Sequence, residues 1–367
     1  MLRALARIDD GAIERNAARL AAAAAPAALC AVVKADGYGH GAEAAARAAL
    51  AGGATWLAVA TAHEAAALRA AGIEGCPLLI MGALSAEELT VALRARADVV
   101  AWRAGFAAAI AAHPDGGGAR VHVKLDTGMG RLGTRDADEA TAVAGAVAAA
   151  PGLELAGAMT HFATADDDPA FAREQLAAFL PWARALAARH PKIVLHAANS
   201  AATLGIPESR LDLVRCGIAL YGMDPCGVSP DPHGLEPALA LRSYLAAVKR
   251  IAPGESAGYG RRFVAAAPTW IGTVPVGYAD GVRRALTNDA ELLVGGRRVP
   301  LVGAVSMDNV TVDLGPGEPP AVGEPVVLLG RQGGERVLAE EWARRLGTIP
   351  YEVTCAISGR VPREHHR

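Results

Sequence analysis

The segment "CAVVKADGYGHGAEAAARAALAGG" (30–53) holds one complete strand–loop–helix unit, and the repetition of this unit decides the fold. A short apolar run comes first, a glycine-rich loop follows, and an alanine-rich helical stretch then ends in glycine, as helices commonly do. The apolar run closes on Lys34, where the predicted strand meets its loop. A lone lysine there is most often a solvated charge, but an amine held at a strand end can also act as a nucleophile.

Seven further apolar runs follow, separated by segments of helical composition. They are "WLAVA" (56–60), "PLLIM" (77–81), "DVVAW" (98–102), "RVHVKLD" (120–126), "ELAGAMTH" (154–161), "IVLHAAN" (193–199) and "LDLVRCG" (211–217). Strands that alternate with helices predict parallel pairing, and eight such units predict an α/β protein with a closed (β/α)8 barrel over residues 10–235. A doubly wound open sheet is the alternative that periodicity alone leaves open.

The sequence changes character beyond the predicted barrel. Residues 236–367 consist of short β-branched runs broken by Gly, Pro and Asp, which predict a mostly antiparallel β domain. One late helix is expected at "AEEWARRLG" (339–347), and residues 1–9 are candidates to pair with this domain. The tail "REHHR" (363–367) is expected to be frayed. Its two adjacent histidines are a poor metal site. No metal site is predicted.

Composition excludes several classes of protein. The 367 residues carry a net charge of -2, which argues against a nucleic-acid or membrane-surface protein. Alanine is the largest single contribution to the hydrophobic content of 52%, and no apolar run is long enough to span a bilayer. Acidic residues near the start argue against a secretory signal, and five scattered cysteines without a C-x-x-C pair suit a reducing compartment. We therefore expect a cytoplasmic protein.

Polar residues gather at the ends of the predicted strands. In a barrel the carboxyl ends of the strands meet at one mouth, where loops build the functional site. Each such residue alone has an ordinary structural explanation, as a solvated charge, a core histidine or a helix cap. Their convergence favours a site instead. The residues are Lys34, Lys124, Asp126, His161, Asn199, Ser200, Arg215 and Gly217.

The chemistry that fits these residues is that of an aldehyde cofactor. A lysine amine can form a Schiff base with an aldehyde, and pyridoxal phosphate is the commonest such cofactor. Its phosphate needs hydroxyls and backbone N–H groups. Candidates for this role are Tyr38, Ser200, Gly217 and Ile218. The loop "GYGHG" (37–41) is not a G-x-G-x-x-G dinucleotide fingerprint, and Ser200 does not lie in a G-x-S-x-G elbow.

Nine motifs, in chain order, resemble the alanine racemase family of fold-type III pyridoxal phosphate enzymes. They are "AVVKADGYGHG" (31–41), "KLDTGMGRLG" (124–133), "THFATAD" (160–166), "ANSAA" (198–202), "RCGIALYG" (215–222), "GYGRRF" (258–263), "PVGYADG" (275–281), "SMDN" (306–309) and "PYEVTC" (350–355). The resemblance covers essentially the full chain. It implies interconversion of L- and D-alanine, which supplies D-alanine for bacterial cell-wall peptidoglycan.

The resemblance implies two catalytic bases, one on each face of the cofactor. Lys34 would carry the cofactor and take the proton from D-alanine, while Tyr259 would take it from L-alanine. Two fixed groups can exchange a proton on opposite sides of Cα without moving the substrate. Arg215 would face the pyridine nitrogen and, as an arginine, would keep that nitrogen largely unprotonated.

The remaining roles also come from the resemblance. His161 would support Arg215, and Arg131 would receive the substrate carboxylate through its guanidinium fork. Lys124 is a candidate for carbamylation, which would turn a cation into an anion able to orient Arg131. Asn199 and Tyr351 would contact the cofactor, the latter through its phosphate. Wall or entrance positions of the alanine pocket are Met307, Asp308 and Tyr278.

The family pattern also implies a head-to-tail homodimer with shared sites, in which Tyr259 and Met307 of one subunit serve the barrel of the other. Three other functions are alternatives to alanine racemisation. A non-catalytic pyridoxal phosphate-binding barrel would lack the second domain, and a fold-type III decarboxylase would need an acidic residue where Arg215 lies. A racemase of serine or of a broader amino-acid range stays open, since one methylene changes binding by only about 1–3 kcal/mol.

Overall fold

The computed structural model describes residues 2–367, and they form two compact units. Ile13–Leu220 make up the barrel unit. Residues 2–12 and Tyr221–Arg367 together make up the β unit, so that its first strand, β1 (Leu5–Asp9), precedes the barrel in the chain. The sequence-based boundary lay at residue 235, whereas residues 221–235 group with the β unit.

The barrel unit contains eight strands, each near one of the eight predicted runs. They are β2 (Ala28–Val32), β3 (Trp56–Val59), β4 (Leu78–Ile80), β5 (Asp98–Ala101), β6 (Ala119–Lys124), β7 (Leu153–Met159), β8 (Val194–His196) and β9 (Leu213–Cys216). The helices are α1 (Asp10–Ala24), the short α2 (Lys34–Tyr38), α3 (Ala42–Ala51), α4 (Ala62–Ala70), α5 (Ala86–Arg94), α6 (Ala104–Ala112), α7 (Ala137–Ala149), α8 (Pro169–Arg189) and α9 (Ser200–Gly205), with 3₁₀ turns at Pro207–Ser209 and Ile218–Tyr221.

All ladders of the barrel sheet are parallel, in the spatial order β8-β7-β6-β5-β4-β3-β2-β9. Two backbone hydrogen bonds join the outer strands: Asp212 N donates to Leu195 O at 3.0 Å, and Arg215 N donates to Ala198 O at 2.9 Å. The sheet therefore forms a nearly closed ring. The predicted barrel is confirmed, and an open doubly wound sheet is excluded.

Side-chain caps fix where several barrel helices begin. Thr61 and Glu64 form a reciprocal capping box at the start of α4, and Ser85 and Glu88 form the same box at α5. Such caps satisfy backbone N–H groups that have no partner inside the helix. Each short apolar strand is thus followed by a helix with a fixed start. The helix carries the chain back to the end of the barrel where the next strand begins.

The β unit contains the remaining elements. Its strands are β10 (Leu239–Tyr244), β11 (Ala247–Ile251), β12 (Ser256–Ala257), β13 (Phe263–Val264), β14 (Thr269–Val274), β15 (Glu291–Val294), β16 (Arg297–Val302), β17 (Val310–Gly315), β18 (Pro325–Gln332), β19 (Glu335–Val337) and β20 (Arg363–His366). The helices are α10 (Ala339–Leu346) and α11 (Pro350–Cys355), with 3₁₀ turns at Asp231–His233, Tyr259–Arg261, Tyr278–Asp280 and Arg284–Leu286.

The main sheet of the β unit has the order β11-β14-β17-β16-β15-β18-β10-β1-β20, with β19 beside β18. Its ladders are antiparallel except for β1–β20. The expectation of a frayed tail was wrong: β20 pairs in parallel with β1, and His365 Nδ1 lies 2.9 Å from Asp10 Oδ1. Ladder hydrogen bonds hold this tail although its side chains are largely polar.

Candidate active site

Lys34 lies just beyond the carboxyl end of β2, at the start of an unusual turn. The next four residues all have left-handed backbone angles, with φ of 52° at Ala35, 51° at Asp36, 62° at Gly37 and 55° at Tyr38. Each non-glycine residue in that conformation costs roughly 1–2 kcal/mol. The loop that sequence analysis predicted here is therefore a strained turn, of the kind that proteins keep at functional sites.

Side chains from neighbouring elements hold this turn in place. Glu64 Oε1 accepts a hydrogen bond from Ala35 N at 2.6 Å, while Glu64 Oε2 accepts from Ala60 N at 2.9 Å and Thr61 N at 3.1 Å. Asp36 Oδ1 accepts from Ala42 N at 2.9 Å, at the start of α3. Glu64 thus ties the residue after Lys34 to the end of β3.

Arg215 is the buried cation of the barrel mouth. Its Nη2 donates to the carbonyl oxygens of Thr160 and Ala197, each at 2.9 Å, and lies 3.2 Å from His161 Nδ1. Its Nη1 lies 2.8 Å from His196 Nδ1. Burial lowers the pKa of Arg215 to about 10, so that it stays protonated at neutral pH. Its Nε is buried and has no hydrogen-bond partner among the described residues.

Positive charge surrounds the half-buried His161. Burial lowers the pKa of His161 well below its usual range, and the charges of Arg215, Lys124, Arg131 and Lys34 lower it further. His161 is therefore neutral at physiological pH. These four cations therefore all contribute to the electrostatic environment of His161.

Lys124 ends β6 and is 3% exposed. Burial lowers its pKa to about 8, and the charges of Arg215 and Arg131 act in the same direction. The next loop is folded around Asp126, whose carboxylate accepts hydrogen bonds from the backbone N–H groups of residues 128, 129 and 130. This loop carries the exposed Arg131. A substantial fraction of Lys124 is thus an uncharged, nucleophilic amine near neutral pH.

Two hydroxyls and several backbone N–H groups meet where α9 follows β8. Ser200 Oγ accepts hydrogen bonds from Gly217 N at 2.9 Å and Ala219 N at 3.5 Å. A Cβ on Gly217 would lie 2.2 Å from the Tyr38 hydroxyl oxygen, so only glycine fits there. Asn199 caps α9, accepting from Ala202 N at 3.0 Å, and Ile218 is the next residue after Gly217. Polar donors of this kind suit an oxyanion such as a phosphate.

The other predicted residues lie in the β unit. Tyr259 is 76% exposed, Met307 52% and Tyr278 43%. Tyr278 N donates to Ser306 O at 3.0 Å, which holds the turn of Tyr278 beside the loop of Met307. Asp308 forms an ion pair with Arg360 at 2.7 Å, and Tyr351 lies half-buried in α11.

Sequence analysis missed the polar residues inside the barrel. Asp98, His122 and His196 are buried on β5, β6 and β8, although interiors of this fold are usually filled by branched aliphatic residues. The signal was present in the runs "DVVAW", "RVHVKLD" and "IVLHAAN", where a polar residue interrupts an otherwise apolar strand. The role of Glu64 was not predicted either, because the capping box at the start of α4 is by itself enough to explain a glutamate there.

Two features are absent from residues 2–367. No group of three or more histidine, cysteine, aspartate or glutamate side chains could hold a metal ion. No helix combines the length and the apolar character needed to cross a bilayer.

Family models place the chain among known proteins. The model "Alanine racemase, N-terminal domain" matches residues 8–225, and "Alanine racemase, C-terminal domain" matches residues 238–365. The chain belongs to the alanine racemase family. Among curated members, the alanine racemase of Thermobifida fusca is 45% identical over 98% of this chain and 96% of its own length, and that of Frankia casuarinae is 43% identical over 99% and 96%.

Solved structures of family members share the fold along the whole chain. Alanine racemase from Streptomyces coelicolor A3(2) superposes with a TM-score of 0.92 at 38% identity, covering 99% of this chain and 97% of its own. Alanine racemase from Bacillus anthracis with bound L-Ala-P gives a TM-score of 0.90 at 37% identity, with coverage of 100% and 96%. The family match includes the second domain that a barrel-only cofactor-binding protein would lack.

Proposed function

We propose that this protein is a pyridoxal phosphate-dependent racemase that interconverts L-alanine and D-alanine. The observation that carries the proposal is the buried Arg215, which offers Nε without a protein partner at the mouth that also holds Lys34. Family membership and about 40% identity to curated alanine racemases over nearly the full chain support the same activity. By the same resemblance we propose a cytoplasmic enzyme whose D-alanine enters cell-wall peptidoglycan.

The residues of the barrel unit fit pyridoxal phosphate. Lys34 would bind its aldehyde, and Arg215 Nε–H would donate to the pyridine nitrogen. The hydroxyls of Tyr38 and Ser200, with the backbone beside Gly217, would hold its phosphate. When bound, the cofactor withdraws electrons from the substrate Cα and thereby acidifies its C–H bond.

The chain's own groups then move one proton. The neutral amine of Lys34 would take the Cα proton of D-alanine, and Tyr259 as its phenolate would take that of L-alanine. The other of the two groups, in its protonated form, would then return a proton on the opposite side of Cα. Arg131 binds the substrate carboxylate through two parallel N–H donors. Because Arg215 holds its proton at neutral pH, with a pKa of about 10, it would donate a hydrogen bond to the ring nitrogen of a bound cofactor without protonating it. Charge therefore stays near Cα, where reprotonation is fastest.

We propose that Lys124 is carbamylated in the working enzyme. Its neutral amine attacks CO₂, a C–N bond forms and one proton is released, so that a cation becomes an anion. The support is the pKa of Lys124, which burial and two neighbouring cations lower to about 8. The resulting carbamate would pair with Arg131 and hold its guanidinium ready for the substrate.

We further propose a head-to-tail homodimer with shared sites. Lys34 and Tyr259 belong to different compact units, and the side chains of Tyr259 and Met307 are both exposed in the single chain. In a twofold dimer each such patch would be buried against the partner subunit's barrel.

One experiment tests the activity and the cofactor site together. The purified protein is supplied with pyridoxal phosphate, assayed with each alanine enantiomer, and then treated with borohydride, which makes the lysine attachment permanent. We expect interconversion of the enantiomers and a label on Lys34 among the four lysines, which are Lys34, Lys124, Lys192 and Lys249. Lys34→Ala is the control for labelling. Absence of racemisation refutes the activity, and a label on another lysine refutes the site.

A further inference from the structure

A line of hydrogen bonds runs through the barrel interior and ends on Arg215. Asp98 Oδ2 lies 3.1 Å from His122 Nε2, His122 Nδ1 lies 2.9 Å from His196 Nε2, and His196 Nδ1 lies 2.8 Å from Arg215 Nη1. All four side chains are buried. Asp98 begins β5, whereas His196 ends β8, so the line climbs from the amino end of the strands towards their carboxyl end.

The chemistry of these groups fixes the position of every proton along the line. Arginine can only donate, so His196 Nδ1 must accept and its Nε2 must carry the ring hydrogen. His122 Nδ1 then accepts from His196, and His122 Nε2–H donates to the Asp98 carboxylate. Burial lowers the pKa of His196 well below its usual range, and the charge of Arg215 lowers it further, which keeps this ring neutral. Every hydrogen bond along the line is therefore donated in the same direction, from Arg215 towards Asp98.

The surrounding barrel is shaped to hold the histidines in this orientation. A Cβ on Gly157 of β7 would lie 2.3 Å from His122 Nδ1, so any other residue would displace that ring. The rings of His122 and His196 meet edge to face, with centroids 5.0 Å apart, and Trp56 meets His122 in the same way at 5.7 Å. Rings with these contacts cannot turn over without disturbing their neighbours.

Arg215 needs such support because it is a buried cation without a carboxylate neighbour. Among the described residues it forms no ion pair, and its guanidinium is held only by carbonyl oxygens and histidine nitrogens. A buried charge without compensation is costly, and hydrogen bonds in a low-dielectric interior polarise one another. Asp98 places a carboxylate at the far end of the line, and it shares that negative charge with Arg120, whose Nε donates to its two oxygens at 3.2 and 3.1 Å.

We propose that Asp98, His122 and His196 are positioning residues for Arg215. They fix the rotation of its guanidinium so that Nε–H keeps facing the cofactor ring nitrogen, and they thereby suppress the side reaction. In that reaction the proton taken from Cα is delivered to the aldehyde carbon of the cofactor instead of returning to Cα, so that alanine is oxidised while the cofactor is reduced to its amine form. Water then adds to the substrate carbon, the bond from that carbon to nitrogen breaks, and pyruvate leaves while the amino group stays on the cofactor. The proposal rests on the proposed function of Arg215.

The first test uses the wild-type protein without cofactor, through the ¹⁵N NMR signals of its histidine side chains. We expect the ring hydrogen of His122 and of His196 each to lie on Nε2, as the hydrogen bonds of the line require, with His196 neutral. Signals are assigned by their loss in His122→Gln and His196→Gln. A charged ring, or a hydrogen on Nδ1 of either residue, overturns the proposal without any functional assay.

The second test uses the enzyme loaded with cofactor and compares Asp98→Asn and Gly157→Ala with wild type. Gly145→Ala is the control, because no atom lies within 4 Å of its added Cβ. We expect kcat to fall about tenfold with KM for alanine little changed, and pyruvate per racemisation event to rise by a similar factor. Folded variants that release no more pyruvate than wild type overturn the proposal. Failure of the proposed function is separate, since wild type itself would then not racemise alanine.

Discussion

At the scale of single residues, Lys124 links burial to reactivity. Only its neutral amine reacts with CO₂, and with a pKa of about 8 the neutral fraction rises as pH rises through 8. At a fixed concentration of dissolved CO₂ we therefore expect the carbamate to form several times faster at pH 9 than at pH 7. Loading with ¹³CO₂ followed by ¹³C NMR measures this rate. Lys124→Gln is the control, and an equal carbamate signal in that variant would contradict the assignment.

A second prediction at the scale of single residues concerns Gly217. Because its Cβ would lie 2.2 Å from the Tyr38 hydroxyl, Gly217→Ala should displace one of the proposed phosphate ligands. We expect the Kd for pyridoxal phosphate to rise at least about tenfold, with a smaller change for pyridoxal, which has no phosphate. Gly205→Ala is the matched control, since its added Cβ meets no atom within 4 Å. Equal losses for both cofactor forms would place the phosphate elsewhere.

At the scale of elements, Glu64 and Glu88 provide a matched pair. Both close a capping box, but only Glu64 also accepts a hydrogen bond from the left-handed turn at Ala35. Glu64→Gln should therefore lower both stability, by about 1–2 kcal/mol, and kcat, because the turn that aims Lys34 loosens. Glu88→Gln should cost stability alone. Urea unfolding and steady-state kinetics measure the two effects, and an equal loss of kcat in both variants would contradict the role of the turn.

Some strands and turns of the fold could be predicted from the sequence, and others could not. Apolar runs and the helix signals between them located all eight barrel strands, because burial on both faces demands continuous apolar residues. The left-handed turn after Lys34 could not be predicted, since two of its residues are alanine and aspartate, which carry no strong signal for positive φ. The tail strand β20 could not be predicted either, because its composition is typical of a loop and hydrogen bonds to β1 hold it in place.

The candidate site was predictable to a similar extent. Motif resemblance named residues at the barrel mouth, and Lys34, Lys124, Arg131 and Arg215 do act on one histidine. The line from Asp98 to Arg215 joins four separate strands, so no local pattern could reveal it. Contacts between distant strands depend on barrel register, which a single sequence does not specify.

At the scale of the whole molecule, shared sites make a prediction about hybrid dimers. Lys34→Ala and Tyr259→Phe homodimers should each be nearly inactive. After the two are refolded together, a random mixture should regain about one quarter of wild-type activity, because half the dimers would hold one site with both native bases. Mass spectrometry of differently tagged subunits confirms that exchange occurred. Exchange without recovery would mean that each subunit supplies its own two bases.

The placement of β1 in the β unit has a consequence for synthesis on the ribosome. This strand is translated first, yet its partner β10 emerges roughly 230 residues later, a delay of about ten to fifty seconds at ordinary elongation rates. Throughout that interval a nascent edge is exposed in the crowded cell. Arg3, Arg7 and Asp9 place charge along it, and charged edges resist pairing with foreign strands. The barrel strands therefore emerge from the ribosome before β1 can meet its partner β10.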